Sequence, residues 1–149
     1  MTIGEFCNRE VIIVDRATTI LEAAKLMRSK HVGDLVVTDS REGHMVPVGI
    51  LTDRDIVVEL LADEVELDKV SVGDAMSYEL VSIKQQQGVQ EAIEKMRARG
   101  VRRLPVVDDA GALVGIVTVD DLLELLAEQL TDLVKLVGNQ VSRERKMRR

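Results

Sequence analysis

The chain has 149 residues, 46% of them hydrophobic and 31% charged, which is typical of a soluble globular protein that can bury a sizeable core. A net charge of −6, with one Phe, one Tyr and no Trp, argues against binding to nucleic acid or to an anionic membrane. A single cysteine excludes an intramolecular disulfide framework, and no apolar run approaches the ~18 residues of a membrane span. We therefore expect a cytoplasmic protein.

The first half of the chain combines short β-branched runs with amphipathic helices. We predict a strand over residues 11–14 and a helix over residues 20–28, in which apolar residues recur at helical spacing. Thr19 and Glu22 form a capping box at the start of that helix. The elements predicted next are a strand over 35–38, a polar turn over 39–44, a strand over 46–51 and a helix over 53–61.

The second half repeats this order of elements. Ala92, Met96 and Leu104 follow Ala23, Met27 and Leu35 at a constant offset of 69 positions. The elements predicted here are a helical connector over 70–76, a strand over 80–83, a helix over 89–96, a strand over 104–107, a turn over 108–111 and a strand over 113–117. We infer two β-α-β-β-α units in tandem, over residues 5–62 and 63–127.

The last predicted helix departs from the repeat. It runs over residues 119–137, about twice the length of its counterpart, and Gly138-Asn139 is predicted to end it. Its apolar stripe needs a partner, either the body of the domain or a second subunit: Leu122, Leu126, Leu130, Leu133 and Val137. Residues 128–149 are thus a C-terminal extension, and its last residues form a frayed basic tail: Arg143, Arg145, Lys146, Arg148 and Arg149.

One motif occurs twice, as Gly-Ile-Leu-Thr-Asp-Arg-Asp at residues 49–55 and as Gly-Ile-Val-Thr-Val-Asp-Asp at residues 115–121. Each copy leads from a strand into a helix with a threonine at the N-cap, Thr52 or Thr118, and an aspartate three residues later, Asp55 or Asp121. A threonine and a carboxylate there can hold a sugar hydroxyl pair beside a phosphate. Alternatively, each copy is only a capping box, which stabilises a helix by about 0.5–2 kcal/mol. Recurrence at equivalent positions favours a ligand role in addition to the cap.

Other chemistry is less well supported. Asp53 and Asp55 flank an arginine and have no His or Cys nearby, which argues against a metal site. Cys7 with His31 or His44 could form a nucleophile and base, but a small apolar wall residue is the simpler interpretation of Cys7. Since no catalytic set is evident, we expect no enzyme.

These motifs together resemble a tandem pair of cystathionine-β-synthase (CBS) domains, a Bateman module, over about residues 5–127. The resemblance rests on both Gly-hydrophobic-hydrophobic-Thr-x-x-Asp motifs, on Thr-x-x-Glu-Ala from Thr19, and on Val-Arg-Arg-Leu-Pro-Val at 101–106. It implies an α/β fold with two β-α-β-β-α repeats packed sheet to sheet in pseudo-twofold symmetry, followed by the long C-terminal helix. It also implies a regulatory homodimer that binds AMP, ADP, ATP, S-adenosylmethionine or NAD as an effector and modulates an unidentified partner protein.

The resemblance assigns roles to particular residues. Asp55 and Asp121 would accept hydrogen bonds from ribose hydroxyls, with Thr52 and Thr118 on the ribose-phosphate side. The adenine pockets would be lined by apolar residues of both repeats: Ile50, Met76, Val81 and Val101 in one site, and Ile116, Val32, Ile12 and Cys7 in the other. Phosphate would be bound in the first site by Arg102 and Arg103.

The two implied sites are unequal. Gly33-Asp34 stands in the first repeat where Arg102-Arg103 stands in the second. Because Asp34 would repel a phosphate, we expect the Thr118/Asp121 site to be weak, empty or suited to a less negative ligand. Arg102 and Arg103 could also be solvated residues at a strand entry. The alternative function is a ligand-free interaction or dimerisation scaffold in which the long helix is the active element.

Overall fold

A computed structural model describes residues 1–76 and 80–147. The chain divides into two compact units, Met1–Val117 and Thr118–Arg149. The elements are α1 Ile3–Phe6, β1 Ile13–Val14, α2 Ile20–Lys30, β2 Asp34–Arg41, β3 His44–Thr52, a π-helix Asp55–Leu61, α3 Val72–Ala75, β4 Ile83–Lys84, α4 Val89–Arg99, β5 Arg103–Val107, β6 Leu113–Thr118 and α5 Val119–Met147.

The strands form two three-stranded sheets of the same design, in the orders β1-β2-β3 and β4-β5-β6. In both, the short first strand lies parallel to the second, with Ile13 opposite Val36 and Ile83 opposite Val106. β2 and β3 are antiparallel. The predicted α/β fold with two β-α-β-β-α repeats and a long final helix is confirmed.

The β2–β3 hairpin is longer than predicted. Arg41 pairs with His44 around a two-residue loop in which Glu42 and Gly43 both have positive φ, 51° and 81°. That geometry is typical of a type I′ turn, whose twist matches that of the strands it joins. The polar residues assigned to a turn over 39–44 therefore belong mainly to strands, because cross-strand pairing, not hydropathy, decides where these strands end.

The helix after β3 has the predicted position but a different winding. Ala62 N donates to the carbonyl of Val57 at 3.0 Å, a five-residue step that belongs to a π-helix. An apolar pattern over seven residues predicts a helix but not the register of its hydrogen bonds. Ile56 is buried whereas Val57 and Val58 are exposed.

The end of the last helix was predicted wrongly. α5 continues through Gly138 and Asn139 to Met147. A glycine inside a helix costs only about 1 kcal/mol relative to alanine, which is too little to stop a long helix whose neighbouring residues are mostly good helix formers. The predicted basic tail is accordingly helical as far as the structure describes it, and Arg148 and Arg149 lie outside the described residues.

A short helix near the start of each repeat, α1 or α3, forms backbone hydrogen bonds with the other repeat, which we call a crossover. In the first crossover, Ile3 N and Gly4 N of α1 donate to the carbonyls of Gln87 and Gln85, at 2.8 and 2.9 Å. These two acceptors lie between β4 and α4, in the second repeat. The beginning of the chain is therefore bound to the second repeat rather than to the first.

The second crossover is the counterpart of the first. Val72 N and Gly73 N of α3 donate to the carbonyls of Thr18 and Arg16, at 2.7 and 3.0 Å. Each of these residues lies 69 positions from its equivalent in the first crossover, so the exchange is pseudo-twofold symmetric. Val72 is fully buried and is part of the core of the first repeat: Val14, Ile20, Ala23, Met27, Leu35, Val37, Leu51, Ile56, Val72 and Met76.

The second unit consists of the end of β6 and of α5. Seven of its large apolar side chains are exposed, and Leu130 and Val134 expose 64% and 63% of their surface: Leu123, Leu126, Leu130, Leu133, Val134, Leu136 and Val137. Leu122 alone of the predicted stripe is buried. In the part of the chain that the structure describes, no helix is both long and apolar enough to cross a membrane.

Arg16 also anchors the loop that receives α3. Its Nε and Nη2 donate to the two carboxylate oxygens of Asp39, at 2.9 and 3.0 Å. These hydrogen bonds hold the pKa of Asp39 below its usual value of 3.8, against the opposing effect of desolvation.

This ion pair predicts an acid dependence of stability. Because the folded-state pKa of Asp39 is depressed, its contribution is fully present above pH ~4 and is lost as the pH falls through the folded-state value. Asp39→Asn should therefore lower the urea midpoint at pH 6 and lower it less at pH 2. The same loss at both pH values would show that the Asp39 charge is not the cause.

A second prediction concerns Gly115. Asn8 and Ile116 exchange two backbone hydrogen bonds of 2.9 Å, and a Cβ on Gly115 would lie 2.6 Å from the Asn8 carbonyl oxygen and 2.8 Å from Cys7 Sγ. Gly115→Ala should therefore destabilise the protein by about 1–3 kcal/mol, because backbone must move to admit the methyl group.

Gly138→Ala is the matched control, since its Cβ would meet nothing within 4 Å and the position is helical. This change should stabilise α5 by roughly 0.5–1 kcal/mol and so raise its helix content. Urea titrations followed by circular dichroism measure both. Equal midpoints for Gly115→Ala and the wild type would contradict the close approach.

Candidate functional site

The first Thr-x-x-Asp motif forms a reciprocal capping box. Thr52 N donates to Asp55 Oδ2 at 3.0 Å, and Asp55 N donates to Thr52 Oγ1 at 3.1 Å. The other carboxylate oxygen, Oδ1, receives no hydrogen bond from the described residues. The cap thus fixes the orientation of the carboxylate with only one of its two oxygens, and leaves one acceptor available.

The second motif has the same local geometry. Thr118 N donates to Asp121 Oδ2 at 3.0 Å, and Asp121 N donates to Thr118 Oγ1 at 3.1 Å. These bonds lie within the second unit, at the junction of β6 and α5. The structural role of a helix cap is therefore real in both copies, and any ligand role is additional to it.

A cavity of about 370 Å³ opens beside the first motif, a volume within the range of small-molecule sites. Predicted residues of both repeats line it: Ile50, Thr52, Asp55, Val81, Val101, Arg102 and Arg103. Leu80 and Gly100 complete the lining and were not predicted. The structure thus brings together a carboxylate, a hydroxyl, two guanidinium groups and an apolar wall.

This combination suits a ligand with three chemically distinct parts. Aliphatic side chains such as Ile50 and Val101 can pack on a flat base, while the Thr52/Asp55 pair offers acceptors to a diol. Arg102 and Arg103 offer donors and positive charge to an anion. A group of three or more His, Cys, Asp or Glu side chains that could hold a metal ion is absent from residues 1–76 and 80–147.

One predicted residue of this site lies elsewhere. Met76 is not part of the cavity lining but is buried in the core of the first repeat, with 4% of its surface exposed. It follows α3 directly, and the α3 crossover carries it into that core. Met76 therefore supports the first repeat.

The residues predicted for the second site are distributed over both units. Cys7 and Ile116 are buried in the first unit, where the Cys7 thiol donates to the carbonyl of Gly4 at 3.8 Å. Ile12 and Val32 are partly buried and pack against the core of the first repeat. Thr118 and Asp121 belong to the second unit.

Asp34, which we expected to repel a phosphate, forms an ion pair with Arg103. Its Oδ2 lies 3.2 Å from Nε of Arg103, and both side chains are partly buried. Asp34 also lies directly opposite Thr52 in the β2–β3 register. The acidic residue of the first repeat is thus paired with an arginine that lines the Thr52/Asp55 cavity.

Two features of the sequence point to Gly100, which was not predicted to line the cavity: it is a glycine at the end of a helix, and it is equivalent to a residue of the first repeat. Gly100 has a φ of 65° at the end of α4, and this left-handed turn leads the chain into cavity residues 101–103. The equivalent residue 69 positions earlier, His31, has a φ of 57° at the end of α2. Asp34 and Arg103 are likewise equivalent by this offset, so an alignment of the repeats brings out all four positions.

Comparison with known proteins identifies the family. The CBS domain family matches residues 3–62 and 72–128, and the chain belongs to it. It is similar to the CBS domain-containing protein YhcV of Bacillus subtilis, with 38% identity over 121 residues that cover 81% of this chain and 82% of that protein. It is also 35% identical over 125 residues to an uncharacterized protein of Methanopyrus kandleri, covering 84% of this chain but only 62% of that protein's length.

A solved structure shares the fold. The CBS domain pair of the protein MJ0100, in complex with 5′-methylthioadenosine and S-adenosyl-L-methionine, superposes with a TM-score of 0.74 at 26% identity. The match covers 87% of this chain and 98% of that one. The chain is thus a tandem CBS-pair protein.

Proposed function

We propose that this protein is a regulatory sensor that binds an adenosine-containing ligand in the Thr52/Asp55 cavity: AMP, ADP, ATP, S-adenosylmethionine or NAD. The observation that carries the proposal is the meeting of the available Asp55 oxygen, two arginines and an apolar wall in one cavity built from both repeats. The complex of MJ0100 with two adenosine compounds supports it. We also propose repeat boundaries of 5–62 and 63–127, with an extension over 128–149.

The ribose would be bound by Asp55. Its Oδ2 is held by the Thr52 N–H, so Oδ1 can accept a hydrogen bond from a ribose hydroxyl without any change of rotamer. A group already held in its binding orientation loses little side-chain entropy when the ligand arrives. The helix cap therefore prepares the binding site.

The remaining parts of the ligand would contact both repeats. Adenine would pack between Ile50 and Val101, and the phosphates would bind Arg102 and Arg103. A ligand that contacts both repeats stabilises the arrangement of the repeats for which its affinity is highest. A partner protein can then recognise that arrangement. We extend the same ribose role to Thr118 and Asp121, which have the same reciprocal hydrogen bonds.

A specific observation also supports self-association. The α5 side chains Leu126, Leu130, Leu133 and Val137 are exposed and recur at spacings of three and four residues. Such a stripe matches a second copy of the same helix, packed side by side. A homodimer through α5 is compatible with the sensor, and it would remain the main function if the cavity bound nothing.

Asp55→Asn tests the ligand role. The single amide oxygen of asparagine can keep the hydrogen bond from Thr52 N, but an NH₂ group then replaces the free acceptor. Because a hydrogen bond to a charged group contributes roughly 1.5–3 kcal/mol, nucleotide affinity should fall on the order of 10- to 100-fold. Isothermal titration calorimetry with each candidate ligand measures this change.

Asp121→Asn makes the same change in the second cap: it should leave the affinity of the Thr52/Asp55 cavity unchanged, because Asp121 does not line that cavity, and should weaken any binding at Thr118/Asp121. Thermal melting of the ligand-free variants reports the cap alone. A ligand present at 100 times its Kd for the wild-type protein should raise the free energy of unfolding by about 2.7 kcal/mol. Lower melting temperature with unchanged affinity for Asp55→Asn would reduce Asp55 to a helix cap, and no response to any ligand would favour the scaffold.

Self-association is tested on α5. Truncation after Leu126, or the double substitution Leu130→Glu and Leu133→Glu, removes or charges the exposed stripe and should convert a dimer to a monomer. Light scattering at micromolar concentration gives the mass of each species. A wild-type protein that is already monomeric would refute the dimer, and Leu21→Glu, at an exposed position on α2, is the control.

A further inference from the structure

The cavity and the strand behind it carry charges that nearly cancel. The lining contains two cationic residues, Arg102 and Arg103, and one carboxylate, Asp55. Asp34 adds a second carboxylate at 3.2 Å from Arg103 without being part of the lining. The excess positive charge that would attract a polyphosphate is therefore neutralised by a residue outside the cavity.

The contact between Asp34 and Arg103 is electrostatic. Nε of Arg103 is buried, and among the described residues no acceptor satisfies its N–H by hydrogen-bond geometry. A buried donor without an acceptor is rare and requires an explanation. The Nε side of the guanidinium therefore faces Asp34 without a directed hydrogen bond, so Asp34 acts on Arg103 as a counter-ion.

Asp34 is also close to the ligand position itself. It lies opposite Thr52 in the β2–β3 register, and Cβ atoms of such pairs are about 4.5–5.5 Å apart on the same face. That separation is shorter than the screening length of ~8 Å at physiological salt, so its charge acts on any anion beside Thr52. The neighbouring Gly33 lies under the carboxylate of Asp53, which adds negative charge to the same edge.

From this arrangement we propose that Asp34 is a specificity-determining residue of the Thr52/Asp55 cavity. As the counter-ion of Arg103, it selects adenosine ligands with one phosphate or none over a triphosphate. Arg102, which is exposed and has no ion pair among the described residues, remains available for a single phosphate. The proposal rests on the proposed function, because it names the class of adenosine ligand that the same site accepts.

The test compares three ligands that differ only in phosphate charge. Adenosine, AMP and ATP are titrated calorimetrically into the wild type, Asp34→Asn and Asp39→Asn at one fixed salt concentration. Asp34→Asn should tighten ATP about 10-fold and AMP about 3-fold, and leave adenosine within about 2-fold, since the positive charge of Arg103 is then no longer neutralised and acts on the phosphates. Asp39→Asn removes an equivalent carboxylate–arginine pair away from the cavity and should leave all three affinities unchanged.

A second background tests whether Asp34 acts through Arg103. In Arg103→Gln the counter-ion has no cation to neutralise, so Asp34→Asn should increase ATP affinity less than it does in the wild type. An equal increase in both backgrounds would overturn the counter-ion assignment. Asp34→Ser replaces Asp34→Asn if the latter does not fold.

The outcomes also separate this inference from the proposed function. If the wild type binds adenosine or AMP but Asp34→Asn leaves the ratio of ATP to AMP affinity unchanged, Asp34 has no role in specificity and the adenosine site still stands. If the wild type binds none of the three ligands, the adenosine site is wrong and the specificity assignment fails with it.

Discussion

The exchange of short backbone segments between the repeats is the constraint on which the rest of the structure depends. α1 is bound to the loop before α4, and α3 to the loop before α2, through pairs of backbone hydrogen bonds of 2.7–3.0 Å. A three-stranded sheet with one helix buries little surface alone, and these crossovers give each repeat apolar residues from the other, such as Val72. Leu80 and Val81, shortly after α3 in the sequence, line the cavity.

The capping box shows how one set of hydrogen bonds can stabilise a helix and prepare a binding site. A capping carboxylate needs only one oxygen to accept the backbone N–H of Thr52. The second oxygen is oriented by the first, so stability and recognition do not compete at Asp55. A residue pattern with an ordinary structural interpretation can therefore also belong to the proposed ligand site, and the cavity beside Asp55 is what supports this second role.

Much of this architecture could be predicted from local sequence patterns, because the order of elements repeats, with an offset of 69 positions that falls to 66 at the Thr-x-x-Asp motifs. What could not be predicted depends on contacts over long distances or on small energy differences. Met76 was assigned to a pocket, but the crossover carries it into a core. Gly138 was assigned to a helix end, but its intrinsic cost is too small to decide against a long helix. The pairing of Asp34 with Arg103 needed the three-dimensional arrangement of both repeats.

That pairing follows from the geometry of pseudo-twofold symmetry. Asp34 and Arg103 occupy equivalent positions of the two repeats, 69 residues apart, and they contact each other. Two identical charges at such a position would repel each other, and opposite charges attract. Opposite charges at this position therefore stabilise the contact between the repeats, which two identical charges would not. Because the two residues carry opposite charges, the net charge at this position depends on both repeats together.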